Sequence, residues 1–121
     1  MAGSATIIYS STRAGAKSVS WTWTSDASGD VSGTDTVAIS GRAYRWVTNP
    51  SATAPAANYD IVVNDSDSSD VAAGVLANRH TSNTEQAYPA ANTYHIFDGK
   101  LSLIVENAGD SKIGTLTMYY V

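Results

Sequence analysis

The sequence predicts one all-β domain, an antiparallel β-sandwich or jelly-roll-like barrel of about eight strands. Three observations carry that prediction. Apolar and small polar residues alternate in short runs, turn-forming residues interrupt the chain roughly every 8 to 15 positions, and helical spacing never persists beyond one or two turns. The clearest run is Ser18 to Thr24, where Val19, Trp21 and Trp23 share one face of a strand and Ser18, Ser20, Thr22 and Thr24 the other. On a helix the two tryptophans would stand about 200° apart, and neither would bury well. A central strand with a tryptophan core is expected.

Earlier in the chain, Ala5 to Tyr9 places Ile7, Ile8 and Tyr9 in succession, so side chains project from both faces and both need cover. Residues 1–10 are therefore an interacting arm or edge strand, or else an ordinary central strand. Ser10 to Ala16 reads as a turn, and Ser25 to Gly33 as a loop. Thr34 to Ser40 resumes strand character through Val37 and Ile39. In Arg42 to Thr48, alternation puts Tyr44 and Trp46 on the core face and Ala43, Arg45 and Val47 on the other. Asn49-Pro50 ends that strand.

Tyr59 to Asn64 is the next strand, with Ile61 in the core, and it runs into the polar turn Asp65-Ser-Asp-Ser-Ser-Asp70. Asp70 to Arg79 has the only helical claim, limited to a turn or two because Gly74 interrupts it. Thr81 to Asn92 reads as a long connection of the Greek-key kind. Thr93 to Phe97 and Lys100 to Asn107 read as a hairpin about Asp98-Gly99, with Leu101 and Leu103 in the core. After the turn Asn107-Ala-Gly-Asp-Ser, Ile113 to Val121 closes the domain. Tyr119 and Tyr120 are consecutive there and must point opposite ways, which leaves one exposed or covered by another chain.

Composition narrows the function. The 121 residues suit one domain, and charged residues make up 15%, well below the usual ~25%. A net charge of -4 without a basic stripe argues against nucleic acid as a direct partner. With no cysteine, disulfides, thiolate metal sites and cysteine nucleophiles are excluded. The first residues carry no basic segment followed by an apolar run, and no stretch has the length of a membrane-spanning helix, so neither classical secretion nor a membrane partner is expected.

No catalytic constellation stands out. Asp65, Asp67 and Asp70 resemble the start of a calcium loop but lack its glycine and its bidentate glutamate, so a self-bonded turn is the simpler reading. His80 and His95 lack metal-ligand spacing, and no Gly-x-Ser-x-Gly elbow occurs. Asp60, Glu85 and Glu106 are the carboxylates that would have to meet for glycoside hydrolysis. No cofactor is expected. Trp21, Trp23 and Trp46 offer a sugar-stacking platform only if alternation misplaces them in the core.

The order Val-Ser-Trp-Thr-Trp-Thr-Ser-Asp-Ala-Ser-Gly-Asp, then Ile-Ser-Gly-Arg-Ala-Tyr-Arg-Trp-Val-Thr-Asn-Pro, Asn-Tyr-Asp-Ile-Val-Val-Asn-Asp and Ala-Ala-Gly-Val-Leu-Ala-Asn-Arg resembles small β-rich structural proteins of tailed bacteriophages, most closely the head decoration, or cement, type. The resemblance covers Ser18 to Glu85 and, more loosely, the closing strand. It implies a non-enzymatic homotrimer, made in the host cytoplasm, that binds the major capsid protein on the outer capsid surface of the virion. Ile7, Ile8, Tyr9, Tyr119 and Tyr120 are the contact candidates. A glycan-binding or host-attachment module and a tail or connector component are the alternatives.

Overall fold

The computed structural model describes residues 3–11, 15, 17–90 and 95–121, with the backbone alone at Thr34, and nine strands form among them. They are β1 (Ser4–Ser11), β2 (Lys17–Thr24), β3 (Val31–Asp35), β4 (Ile39–Pro50), β5 (Asp60–Asn64), β6 (Glu85–Ala87), β7 (His95–Gly99), β8 (Ser102–Glu106) and β9 (Ile113–Tyr120). Two antiparallel sheets pack together as a β-sandwich. The larger has the order β1-β2-β9-β4-β6, with β7 also paired to β4, and the smaller has the order β3-β8-β5.

The tryptophan strand β2 is central, between β1 and β9. Val19, Trp21 and Trp23 are fully buried, and their cross-strand partners on β9 are Met118, Leu116 and Gly114. Gly114 has a steric reason. A Cβ there would stand 2.5 Å from Cζ2 and 2.9 Å from Cε2 of Trp23, so the indole fills the space that a side chain would need. From the smaller sheet, Val31, Ile61, Val63, Leu103 and Val105 close the other side of the core, and Leu101 is buried just ahead of β8.

Beyond β2, buried Ser25 holds the end of the sandwich. Its hydroxyl donates to the Gly109 carbonyl at 2.5 Å and accepts from the Lys112 amide at 2.8 Å. The Ala108 amide donates to the Gly29 carbonyl at 2.9 Å, stitching the loop after β2 to the turn before β9. Gly29 has φ +86°, and a Cβ on it would lie 2.6 Å from the Gly109 nitrogen, so close approach and backbone conformation both call for glycine.

Four expectations need correction. Asp98-Gly99 does not turn a hairpin. β7 pairs with β4, from Ile39 opposite Gly99 to Ala43 opposite His95, while β8 lies in the other sheet between β3 and β5. The segment is a corner between sheets, because Phe97 and Leu101 both bury in the core and Leu101 is fixed in the smaller sheet by Thr36, which continues the β3–β8 pairing by one residue. The Thr36 amide donates to the Leu101 carbonyl at 2.8 Å, and the Leu101 amide to the Thr36 hydroxyl at 3.0 Å.

For the same reason Thr34 to Ser40 is not one strand. The chain changes sheets between β3 and β4 and leaves Val37 exposed. Residues 70–79 form turns and no helix, because Ala73, Gly74 and Asn78 adopt positive φ and Asp70 spends its carboxylate on the amides of Val63, Ala72 and Gly74. Tyr44 is not in the core: the β4–β9 register slips by one residue between Ala43 and Arg45, so Ala43 and Trp46 both bury and Tyr44 turns outward. The segment after Thr81 contains β6, which pairs with β4, and Ala91 and Asn92 of the expected connection lie outside the described residues, as do Thr93 and Tyr94 of the proposed hairpin.

Trp46 finds the polar partner that its indole needs. Its Nε1–H donates to His95 Nδ1 at 2.8 Å in the buried core. An indole N–H can only donate, so the imidazole is neutral with its proton on Nε2. Burial pushes the His95 pKa below its ordinary value of 6.5, against the opposing pull of the Asp70 carboxylate.

Two outcomes follow from this packing. Gly114→Ala overpacks the Trp23 site and lowers the stability to urea by about 1 to 3 kcal/mol. His95 binds its proton more weakly folded than unfolded, so its contribution to stability is complete above pH 6.5 and declines as pH falls from there toward the lower folded value. The urea midpoint therefore drops between pH 7.5 and pH 5, and His95→Gln, which keeps an acceptor for Trp46 but cannot titrate, flattens that slope.

Candidate functional site

The outer face of the large sheet is built by strand register. Thr6, Thr22, Thr115 and Asn49 form one row, and Ile8, Ser20, Thr117, Val47 and Gln86 the next. A third row runs Ser10, Ser18, Tyr119 and Arg45. Hydroxyls dominate, Ser20 and Thr117 bond to each other at 3.0 Å, and Arg45 is the sole charged residue of the three rows.

The β4 bulge completes a side-chain cluster at the end of the third row. Tyr44 is the extra residue, 39% exposed, and its ring lies 6.5 Å from that of Tyr119. Arg45 lays its guanidinium 4.9 Å from the Tyr119 ring centroid. Its Nε–H donates to Gln86 Oε1 at 2.8 Å, and the Tyr88 hydroxyl donates to the same oxygen at 2.7 Å. Gln86 and Tyr88 reach the face together because they are two residues apart in extended chain. Sequence reasoning missed this cluster, since no glycine or proline marks the bulge.

The other candidate surface is β1. All eight of its residues pair with β2, and no strand among the described residues covers its other side, so it is an edge strand and not a central one. The five contact candidates divide between core and surface. Ile8 is on the outer face and 61% exposed, whereas Ile7 packs against the core. Tyr9 is partly exposed, but its hydroxyl accepts the Val37 amide at 2.9 Å and so ties β1 to the β3–β4 connection.

Tyr119 and Tyr120 do point opposite ways. Tyr120 is buried edge-on against Phe97 at 5.3 Å, which removes it, with Ile7, from the contact residues. Of the expected core residues, Val19, Trp21, Trp23, Trp46, Ile61, Leu101 and Leu103 are buried and Tyr44 is not. All three tryptophans are solvent-inaccessible, so no tryptophan platform exists.

The acidic candidates are occupied by their own backbone. Asp65 accepts the amides of Asp67 at 2.9 Å and Ser69 at 3.0 Å, and Asp70 caps the next turn. Among the described residues no cluster of three or more His, Asp or Glu side chains is poised to hold a metal. Asp60 and Glu106 do face each other across β5 and β8, but Asp60 accepts from the Asn78 amide and the Asn107 side chain. Glu85 instead pairs with Arg79 at 3.8 Å and accepts the His80 amide. His80 takes the amides of Ser82 and Asn83 on Nδ1 and so serves its own loop.

The bulge gives adjacent aromatic residues opposite energetic roles. Trp46→Ala removes a buried indole and lowers stability by about 3 to 5 kcal/mol, whereas Tyr44→Ala, on the surface, changes it by under about 1 kcal/mol in the same urea titration. Comparison with protein-family models, curated proteins and solved structures finds no match for the chain.

Proposed function

We propose that this chain is a non-enzymatic structural virion protein that binds the outside of a phage capsid through β1 and stabilises it, as a decoration protein does. The carrying observation is an eight-residue edge strand to whose other side no strand pairs among the described residues, with Ile8 exposed on it. An edge strand offers unpaired main-chain donors and acceptors to an extended segment of a neighbour, and an adjacent apolar side chain fixes the register. The partner in this reading is the major capsid protein, and the assembly is a homotrimer on the outer capsid surface.

The composition supports this reading. A low charge and a hydroxyl-rich outer sheet suit a small domain standing in solvent, and the acidic side chains at the loops serve the fold. Purified protein mixed with undecorated heads binds stoichiometrically. Ile8→Lys, which places a charge on an exposed edge without touching the core, weakens that binding at least about tenfold while the unfolding midpoint stays in place. Failure of the unaltered protein to bind heads overturns the reading, and unchanged binding by Ile8→Lys removes β1 from it.

A further inference from the structure

We propose that Tyr44, Arg45, Gln86, Tyr88 and Tyr119 form a binding site for a carboxylated sugar, the uronic or sialic acid unit of an acidic polysaccharide. The anchor is Arg45. Its guanidinium is held in place twice, by the Tyr119 ring at 4.9 Å and by Gln86 Oε1 at 2.8 Å on Nε–H. Both contacts leave the terminal edge of the fork, Nη1 and Nη2, without a hydrogen-bond partner among the described residues. A planar guanidinium already fixed in orientation is matched to a carboxylate, which takes two parallel N–H bonds.

The chain could have supplied that carboxylate itself, having 11 acidic residues against 7 basic ones, but none stands in the rows around Arg45. Arg45 is instead oriented by neutral groups, which keeps its full charge for an incoming anion. Gln86 is fixed in turn by the Tyr88 hydroxyl at 2.7 Å, so the orienting acceptor is itself oriented.

The surroundings select a sugar over a protein side chain. Tyr44, beside the Tyr119 ring, and Tyr88, beside Gln86, are 39% and 55% exposed, and tyrosine faces take the apolar C–H side of a pyranose while their hydroxyls meet its polar rim. Ser18, Ser20 and Thr117 continue the surface along the sheet with hydroxyls. A protein hot spot would need an apolar anchor pocket. Half-buried Val47 and, at the far strand, Ile8 are the aliphatic residues of the second row, and in the row beyond Arg45 the exposed Val121 and Ile96 stand on either side of the Arg42 cation instead of enclosing a pocket.

Strand order separates the two surfaces. Arg45 lies on β4, three strands from β1, or about 14 Å at the usual strand spacing. A partner strand on the β1 edge therefore leaves this site open, and the sugar site stands independently of the capsid reading.

The test is titration calorimetry of the full chain with galacturonate oligomers and with sialyllactose, each compared with its carboxyl methyl ester, plus a glutamate-rich peptide. The expected result is binding of at least one carboxylated sugar, with the preferred one identifying the source of the carboxylate. That binding weakens at least about tenfold on esterification, in Arg45→Gln and in Arg45→Lys, which keeps charge but loses the fork. Tyr88→Ala weakens it as well, and each variant keeps the parent's unfolding midpoint. Binding of neither sugar, equal binding of the esters, or indifference to Arg45→Gln overturns the proposal. Preference for the peptide overturns it too, and reassigns the face to a protein.

Discussion

Burial of two tryptophans on one strand is the constraint on which the rest of the sandwich depends. Removing Trp21 and Trp23 from water contributes about 3 to 6 kcal/mol, a large share of the net stability of a domain without disulfides. Both indoles must fit into the interior of the sandwich, and the chain makes room for Trp23 by placing Gly114 opposite it. Their N–H groups find no acceptor among the described residues, which costs about 1 to 3 kcal/mol each and is tolerated because the apolar ring area is so large. Trp46 solves the same problem differently, through His95, and thereby links β4 to β7.

From that core follows the bulge. Ala43 and Trp46 must both face inward, three positions apart, and a regular strand cannot do this because its faces alternate every residue. One residue has to be left out of the ladder. Tyr44 is that residue, and the outward turn sets it beside Arg45 and Tyr119 instead of against Phe97 and Tyr120. A demand of interior packing has thus produced a surface grouping of aromatic and cationic side chains, a common use of bulges near functional sites.

Legibility in the sequence follows the same physics. β2 and β9 could be read from alternation alone, because each lies in the middle of the sheet with one face wet and the other dry. Ile61, Leu101 and Leu103 were readable for the same reason. Tyr44 was not, since a bulge is decided by which of two neighbours the core accepts and leaves no mark in composition. Asp98-Gly99 carries genuine turn chemistry, and Gly99 does adopt positive φ, but whether such a turn folds back or crosses to another sheet depends on where Phe97 and Leu101 find room. The run from Asp70 to Arg79 has helical residues, but Asp70 competes for the local amides and closes turns instead. Of the site around Arg45, only Arg45 was assigned to an outer surface, with one of Tyr119 and Tyr120 left to join it, because the partnership with Gln86 and Tyr88 spans about forty residues.

Electrostatics sharpen what the outer face can accept. The carboxylates of Asp26, Asp65 and Asp70 are tied to loop amides, and those of Asp60 and Glu85 to partners at the chain's other crossings, so much of the negative charge lies off this face. The net charge of -4 still repels a polyanion at long range, but that repulsion fades beyond a Debye length of about 8 Å at physiological salt. A bidentate contact to a fixed guanidinium acts at hydrogen-bond distance and is screened much less once the ligand displaces water. Approach is therefore opposed weakly and capture favoured locally, so the face discriminates by the geometry of one carboxylate more than by the total charge of its ligand.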